Sequence, residues 1–419
     1  VIKKGCSFHH AGLMAKQKNI IEENFRKGLI KAIVATPTLA MGINLPAFRV
    51  VIRDVKRYSS GLGSTFIPVM EYKQFAGRAG RPQYDEFGES VIMAKSELEA
   101  YDLVERYIKA SPENIESKLA QEVALRTHLL SLISSGIISN KQSIIDFFNS
   151  TFFSFQYQDV NLLEEKIVKV ISSLLEWKFI DKNPHGYFAT ELGRRISQLY
   201  LDPLTANNFI SALENLLLVQ DIKMLSVLQA ISYSSEMHPL LSIKSKDHLI
   251  LNEIINLMRD NFLMPVPAMY EEEYDEFLSS LKTALVLESW TEEETEDVML
   301  DRFQITPGEL HAKLEIAEWL MYCSMEITKI LNHKELIKEL KKIRICLIYG
   351  VKEELLELVS LREIGRVRAR RLFDKGIKNL VTLRNVPDNK LSLILGPKVS
   401  KIVKEQLTKV TSESKYAKI

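Results

Sequence analysis

The strongest constraint on this chain is a change of hydrophobic period near Glu97. Before it lie short apolar runs of strand length: Ile30 to Ala35, Arg49 to Arg53 and Ser90 to Ala94. Helical stretches at Ala15 to Arg26 and Glu71 to Ala79 separate or precede them. Strands alternating with helices predict a parallel α/β layer. After Glu97 a helical period dominates almost to the end. The expected fold class is therefore multidomain, α/β followed by mainly α, and 419 residues suffice for roughly two to four domains.

Hydrophobic residues make up 46% of the chain and charged residues 26%, the balance of an ordinary soluble globular protein. No apolar run approaches the ~18 residues of a membrane span, so no membrane partner is expected. Val1 to Lys4 reads as an edge strand and has neither the charged start nor the long apolar stretch of a signal peptide. Cys6, Cys323 and Cys346 stand far apart and in no metal-ligand spacing, which points to free thiols and a cytoplasmic, intracellular setting. The net charge of +1 conceals an asymmetry. Val1 to Lys109 holds 17 basic and 11 acidic residues, Ala110 to Tyr349 holds 22 and 35, and Gly350 to the end holds 16 and 8. The two ends suit a polyanion; the acidic middle must reach one through local patches or stacking.

Beyond Glu97, Ile115 to Gly136, Lys141 to Asn149 and the amphipathic Val160 to Glu176 read as helices. They lead into W-K-F-I-D-K-N-P-H-G-Y-F-A-T (Trp177 to Thr190), where Asn183-Pro184-His185-Gly186 is hairpin chemistry. Helices followed by one hairpin make the pattern of a winged helix; the alternative is a small helical domain with an incidental hairpin. From Asp202 to Tyr349 the pattern is helical, broken at Pro239, Pro265, Pro267 and Pro307-Gly308, and Trp177 and Trp319 read as core. The last section holds two similar helix–turn–helix units, around Ile364-Gly365 and Leu395-Gly396. The expected domains are residues 1–109, 110–200, 201–348 and 349–419.

Q-F-A-G-R-A-G-R-P, Gln74 to Pro82, carries the most chemistry. A transferring phosphoryl group spreads negative charge over its oxygens, and guanidinium groups stabilise that charge through bidentate, charge-assisted hydrogen bonds. Arg78 and Arg81, read as i and i+3 on a helix, would point to one side, with Gln74 four residues before Arg78 on the same face. Gly77, Ala79 and Gly80 keep the backbone close. The alternative is a solvated basic helix. A second stretch, A-T-P-T-L-A-M-G-I-N-L-P (Ala35 to Pro46), follows a predicted strand with small residues and hydroxyls suited to phosphate contacts. A third, F-H-H-A-G-L (Phe8 to Leu13), is a turn before a helix.

These three motifs, in this order and spacing, resemble the later motifs of a superfamily-two helicase of the Ski-type branch, which mark its second RecA-like motor domain. The winged helix, the helical block and the ending V-K-E-E-L-L-E-L-V-S-L-R-E-I-G-R-V-R-A-R-R-L extend the resemblance to the archaeal Hjm-type DNA helicases, relatives of the helicase part of polymerase theta, over essentially the whole chain. The resemblance implies a RecA-like domain, a winged helix, a helical ratchet bundle and a helix–hairpin–helix-like C-terminal domain. It implies ATP and Mg²⁺ as cofactors. Arg81 would be the arginine finger, Arg78 a phosphate clamp, and Gln74 an orienter of water or phosphate. Gly42, Asn44 and Gly77 would lie at the nucleotide. His10, Gly12, Thr36 and Thr38 would touch the nucleic-acid backbone. Arg53 to Met70 would be the hairpin that separates strands, with Tyr58 and Phe66 as wedges; the alternative is a plain surface hairpin.

Two parts of a motor are not in the sequence: the phosphate loop G-x-x-x-x-G-K-[ST] and an acidic strand end for Mg²⁺. Asp85-Glu86 follows Pro82 and reads as a loop, and Asp275-Glu276 lies in an acidic helix. The chain therefore reads as a fragment without the first motor domain, inactive alone, its Mg²⁺ ligands on the missing part.

Asp275 to Glu288 reads as a helix ending near Trp290, which stands among Glu288, Glu292, Glu293 and Glu294. A half-exposed Trp290 would suit stacking on a base, worth ~1–3 kcal/mol; the alternative is a core anchor. By resemblance this is the ratchet helix, with Lys282 and Thr283 contacting single-stranded DNA. The last domain concentrates Arg362, Arg366, Arg368, Arg370 and Arg371. Ile364-Gly365 resembles a helix–hairpin–helix turn that holds phosphate, although Glu363 stands where such turns often carry glycine. Arg366, Arg368 and Arg370 are the DNA-binding candidates there; a solvated charge run is the alternative. In the family this domain meets the exiting strand and brakes the motor.

The expected function is the C-terminal part of an ATP-dependent 3′–5′ DNA helicase that unwinds forked or branched DNA in repair and recombination. It would act as a monomer at the nucleoid with replication or recombination proteins. The rivals are an RNA helicase of the same branch and a non-catalytic winged-helix binding module.

Overall fold

The computed structural model describes residues 4–10, 13, 15–37, 39, 45–59, 63–81, 85–119, 121–157, 160–219 and 221–409, and the side chains of all these except 15, 58, 59, 63, 157, 160–162 and 409. The chain divides into two units, Val1–Glu116 and Ser117–Ile419.

In the first unit, β1 (Cys6–His9) and β2 (Ala32–Ala35) pair in parallel, with the Ala15–Arg26 helix between them in sequence. β3 (Arg49–Ile52) is followed by an antiparallel hairpin, β4 (Lys56–Ser59) and β5 (Gly63–Phe66), and by the Val69–Ala76 helix. β6 (Glu89–Ile92) then returns parallel to β3. The parallel α/β character read from the sequence is thus present. Ile52, Val55, Ile67, Tyr72, Phe75, Leu103 and Tyr107 form a small core. The buried Tyr107 hydroxyl donates to the Ile67 carbonyl (2.8 Å), and burial pushes its pKa up.

Some boundaries differ from the sequence reading. The first described strand starts at Cys6, where Gly5 takes a left-handed φ of 74° and turns the chain into it; the edge strand expected over Val1 to Lys4 falls on residues 1–3, which lie outside the described residues. The helix expected from Ile115 starts only at Glu122. The Glu113 carboxylate instead accepts the Val69 and Met70 N–H groups (2.5 and 2.9 Å), two orphan donors at the start of the Val69–Ala76 helix. Gln156 in turn accepts the Ser117 N–H (2.7 Å). These side-chain bonds hold the intervening backbone out of helical pairing.

The second unit is mainly helical. Helices Glu122–Ser134, Lys141–Asn149 and Val160–Glu176 precede the antiparallel hairpin β7 (Ile180–Asn183) and β8 (Gly186–Ala189). Asn140 caps the second helix with a reciprocal capping box to Ser143. Gly186 is required at its place: a Cβ there would lie 2.0 Å from the Ser139 carbonyl oxygen, and φ is 125°. Long helices follow, among them Pro203–Leu218, Glu273–Thr291, Pro307–Ile330 and Lys334–Tyr349. One apolar core runs from Leu125 to Leu347 and has Trp177 and Trp319 packed against it. A separate cluster, Val351 to Leu407, holds the last helices together.

Candidate nucleotide and nucleic-acid interface

His9 stands opposite Ala35 in the parallel register, so His10 and Thr36 follow the carboxyl ends of neighbouring strands. The Thr36 N–H donates to the His9 carbonyl (3.1 Å), and the His10 carbonyl accepts the Leu13 N–H (3.2 Å). Ligands of open α/β sheets bind outside such strand ends. Behind them His9 is buried and bonded to Glu22 (3.3 Å). Gly12, Thr38, Gly42 and Asn44 lie outside the described residues, and so does the Tyr58 side chain.

The arginine pair sits differently from expectation. The helix ends at Ala76 and Gly77 caps it, so Arg78 and Arg81 both lie beyond it, while Gln74 remains on its exposed side. The cause is backbone pairing with the strand leading into β3. Ala47 donates to the Arg78 carbonyl (3.0 Å) and accepts from the Gly80 N–H (2.7 Å). Gly80 has φ 90°, a left-handed value glycine takes without strain. Arg78 is half-buried. Arg81 is bound by Asp85 through Nε (2.8 Å), Nη2 (2.8 Å) and its own backbone N–H (3.0 Å). That guanidinium holds the Asp85 carboxyl below the ordinary carboxylate range. The sequence reading passed over Asp85 as a loop residue; the signal available was opposite charge four residues from Arg81.

Phe66 is 37% exposed at the end of β5. Lys56 Nζ and Arg106 Cζ lie 4.4 and 4.2 Å from its ring centroid, so cations already engage the ring expected to act as a wedge.

The helix expected to contact DNA is Glu273–Thr291. Lys282 and Thr283 on it are buried. Lys282 Nζ donates to Asp247 Oδ2 (2.7 Å) and the Ser242 carbonyl (2.8 Å). The Thr283 hydroxyl donates to the Ser279 carbonyl (2.9 Å). Both therefore face protein, because this helix is central to the core rather than amphipathic. Trp290 is half-buried; its indole N–H donates to the Leu347 carbonyl (2.9 Å), and the Arg366 guanidinium lies 4.8 Å from its ring. It packs so closely on Gly350 that a Cβ there would lie 2.5 Å from the indole. The half-exposed stacking position expected of Trp290 is filled from within the protein.

The arginine-rich helix runs Arg366–Asp374. Arg366 donates to the Glu294 carbonyl (2.6 Å), and burial lowers its pKa. Arg370 makes a two-pronged contact with Glu293 (2.9 and 2.6 Å) and another with Glu354 (2.7 Å). Burial alone would raise the Glu293 pKa, but the Arg370 hydrogen bonds leave it lowered. Arg368 donates to the Glu363 carbonyl (2.6 Å) and stays half exposed. Glu363 takes φ 71°, the left-handed conformation for which such turns use glycine. The sequence reading noted Glu293 and Glu294 only as neighbours of Trp290 and did not foresee that they bind Arg370 and Arg366.

Two guanidiniums and an amide make a donor set suited to a polyphosphate. Among the described residues no group of three His, Cys, Asp or Glu is placed to hold a metal ion. No helix among them is long and apolar enough to cross a membrane.

Family models match in chain order. "Helicase conserved C-terminal domain" covers residues 2–83, "Helix-turn-helix domain" residues 88–181, and "Archaeal helicase, domain 4" residues 225–350. The chain is 40% identical to the ATP-dependent DNA helicase Hel308 of Pyrococcus abyssi, across 94% of this chain and 54% of that one. It is 38% identical to Hel308 of Methanocella arvoryzae across 90% and 50%, and 34% identical to Hel308 of Pyrobaculum calidifontis across 99% and 57%. The chain is thus a homologue of the Hel308-type archaeal DNA helicases, similar to them over nearly its whole length and spanning about half of theirs.

Proposed function

We propose that this chain is the C-terminal part of an ATP-dependent DNA helicase that moves 3′ to 5′ on forked or branched DNA. In this reading residues 1–109 are the second RecA-like motor domain, 110–200 a winged-helix domain, 201–348 a ratchet for single-stranded DNA, and 349–419 a helix–hairpin–helix-like domain meeting the exiting strand. The observation that carries it is the Gln74–Arg81 segment. Its two arginines stand on a glycine-rich turn tied by backbone bonds to Ala47, within the residues matched by the helicase C-terminal model.

Transfer of the terminal phosphoryl group of ATP to water, giving ADP and phosphate, would supply the free energy. Arg81 would stabilise charge on the transferring group, Arg78 would hold the phosphates, and Gln74 would orient the nucleophile. His10 and Thr36 would touch the nucleic-acid backbone. The β4–β5 hairpin would part the strands, with Phe66 held in place by Lys56 and Arg106. Lys282, Thr283 and Trp290 serve this reading as supports of the ratchet helix, and Arg368 as a phosphate contact of the last domain. The homology to DNA helicases favours DNA over RNA.

The test is ATP hydrolysis without nucleic acid, with single-stranded DNA and with RNA of the same sequence. The 419 residues alone are expected to show no turnover, and the full-length helicase DNA-stimulated turnover. Arg81→Ala should lower full-length kcat on the order of 10³-fold. Stimulation by RNA instead of DNA would replace the DNA reading with the RNA one. Turnover by this chain alone would refute the division of the ATP site.

A further inference from the structure

We propose that Asp85 is a positioning residue for Arg81, locking the finger guanidinium and the backbone beneath it into one geometry before nucleotide arrives. The proposal rests on the helicase reading above. Three donors of one residue converge on this carboxylate: Oδ2 accepts Arg81 N–H and Nε, and Oδ1 accepts Nη2. The Asp85 N–H donates back to the Arg81 carbonyl (2.9 Å), closing the turn. The Asp85 side chain is 8% exposed and that of Arg81 47%, so the anchor is inside and the anchored group faces solvent.

The loop that presents Asp85 is itself held. Gly88 lies against Gly80 so tightly that a Cβ on Gly88 would stand 2.2 Å from the Gly80 nitrogen. The Glu89 N–H donates to the Phe48 carbonyl (2.9 Å), and the Phe87 and Phe48 rings meet edge to face at 5.6 Å. Asp85 is thus fixed to the same backbone that fixes Arg78 and Gly80. A flexible arginine gives up rotamer freedom when it binds a transition state; one held by a fork beforehand has less to lose.

The experiment measures ATPase kinetics of the full-length helicase with saturating single-stranded DNA for wild type, Asp85→Ala, Asp85→Asn, Asp85→Glu, Arg81→Ala and the Arg81→Ala/Asp85→Ala pair. Asp85→Ala should lower kcat about 10- to 100-fold, the scale of a misplaced catalytic group. KM for ATP and the affinity for DNA should hold within about twofold of wild type, since ground-state binding is not what Asp85 arranges. Asp85→Asn keeps the loop's shape but loses the charge and one acceptor, and should fall between. Asp85→Glu should recover part of the rate. The double variant should be no slower than Arg81→Ala, because the two residues act as a unit.

On the 419-residue chain, the Arg81 side-chain Nε–H should be protected from exchange by NMR in the wild type and exposed in Asp85→Asn. Unchanged or faster turnover in Asp85→Ala would overturn the proposal. So would rate losses that add in the double variant, or an unprotected wild-type Nε–H. A wild-type enzyme with no turnover on DNA or RNA refutes the helicase reading and takes the proposal with it. An active wild type with an indifferent Asp85→Ala refutes the proposal alone.

Discussion

Asp202→Ala should be among the most destabilising single changes in the larger unit. Asp202 and Arg126 are 2% and 8% exposed and meet through two parallel bonds, Nε to Oδ1 (2.9 Å) and Nη2 to Oδ2 (2.8 Å). These bonds, with the Asp202 charge, raise the Arg126 pKa against the opposing effect of burial. Oδ1 also accepts the Leu204 N–H (3.1 Å), capping the Pro203–Leu218 helix. Removing one partner of a buried pair leaves the other charge uncompensated, at about 3–5 kcal/mol. Losing the cap adds ~1 kcal/mol. Glu122 lies 3.3 Å from Arg126 Nη1 and is more than half exposed, so it recovers a fraction. The expected loss is therefore about 4 kcal/mol. Asp202→Asn retains the capping oxygen and should lose about 2–3 kcal/mol. Urea unfolding followed by tryptophan fluorescence reads this unit selectively, because Trp177, Trp290 and Trp319 all lie in it. A loss below about 1 kcal/mol at unchanged m would mean that the pair behaves as a solvated surface bridge, and the reasoning would fail.

Gly350→Ala combines a clash 2.5 Å from the Trp290 indole with φ 62°, and should cost at least ~1–2 kcal/mol and shift Trp290 emission; an unchanged emission maximum would contradict the contact. Glu288 has its pKa raised by burial first and by Glu292 next, so its charge works against folding at neutral pH; Glu288→Gln should be stabilising at pH 7, with the gain shrinking as pH falls and Glu288 protonates, and a loss at pH 7 would contradict this. Glu293 has its pKa lowered, so its contribution is full above about pH 4.3 and is lost as pH falls from there through its folded value; stability of wild type minus Glu293→Gln, measured by urea titration, should therefore vanish in acid. Burial raises the Cys323 and Cys346 thiols to about 12 while Cys6 is exposed, so a thiol reagent at pH 8 should label Cys6 rapidly and the other two only in denaturant, counted by mass spectrometry.

Much of this was legible locally. The Ala15–Arg26, Lys141–Asn149 and Val160–Glu176 helices lie at the bounds read from their apolar spacing, and Asn183-Pro184-His185-Gly186 turns where its residue types require. Within the arginine motif the residue types were readable but their setting was not: the helix stops at Ala76 because Ala47, about thirty residues earlier, pairs with the turn.

The sequence by itself determined the switch from α/β to helical architecture and the likeness to archaeal DNA helicases, since period and motif are properties of neighbouring residues. Only the tertiary structure decided what each charge and ring is used for. Lys282 faces Asp247, Trp290 is enclosed by Leu347, Gly350 and Arg366, and Arg370 is held by Glu293, each a partner 35 or more residues away. No local pattern encodes such pairings, because burial of a polar group is settled by whichever distant group folding brings to it.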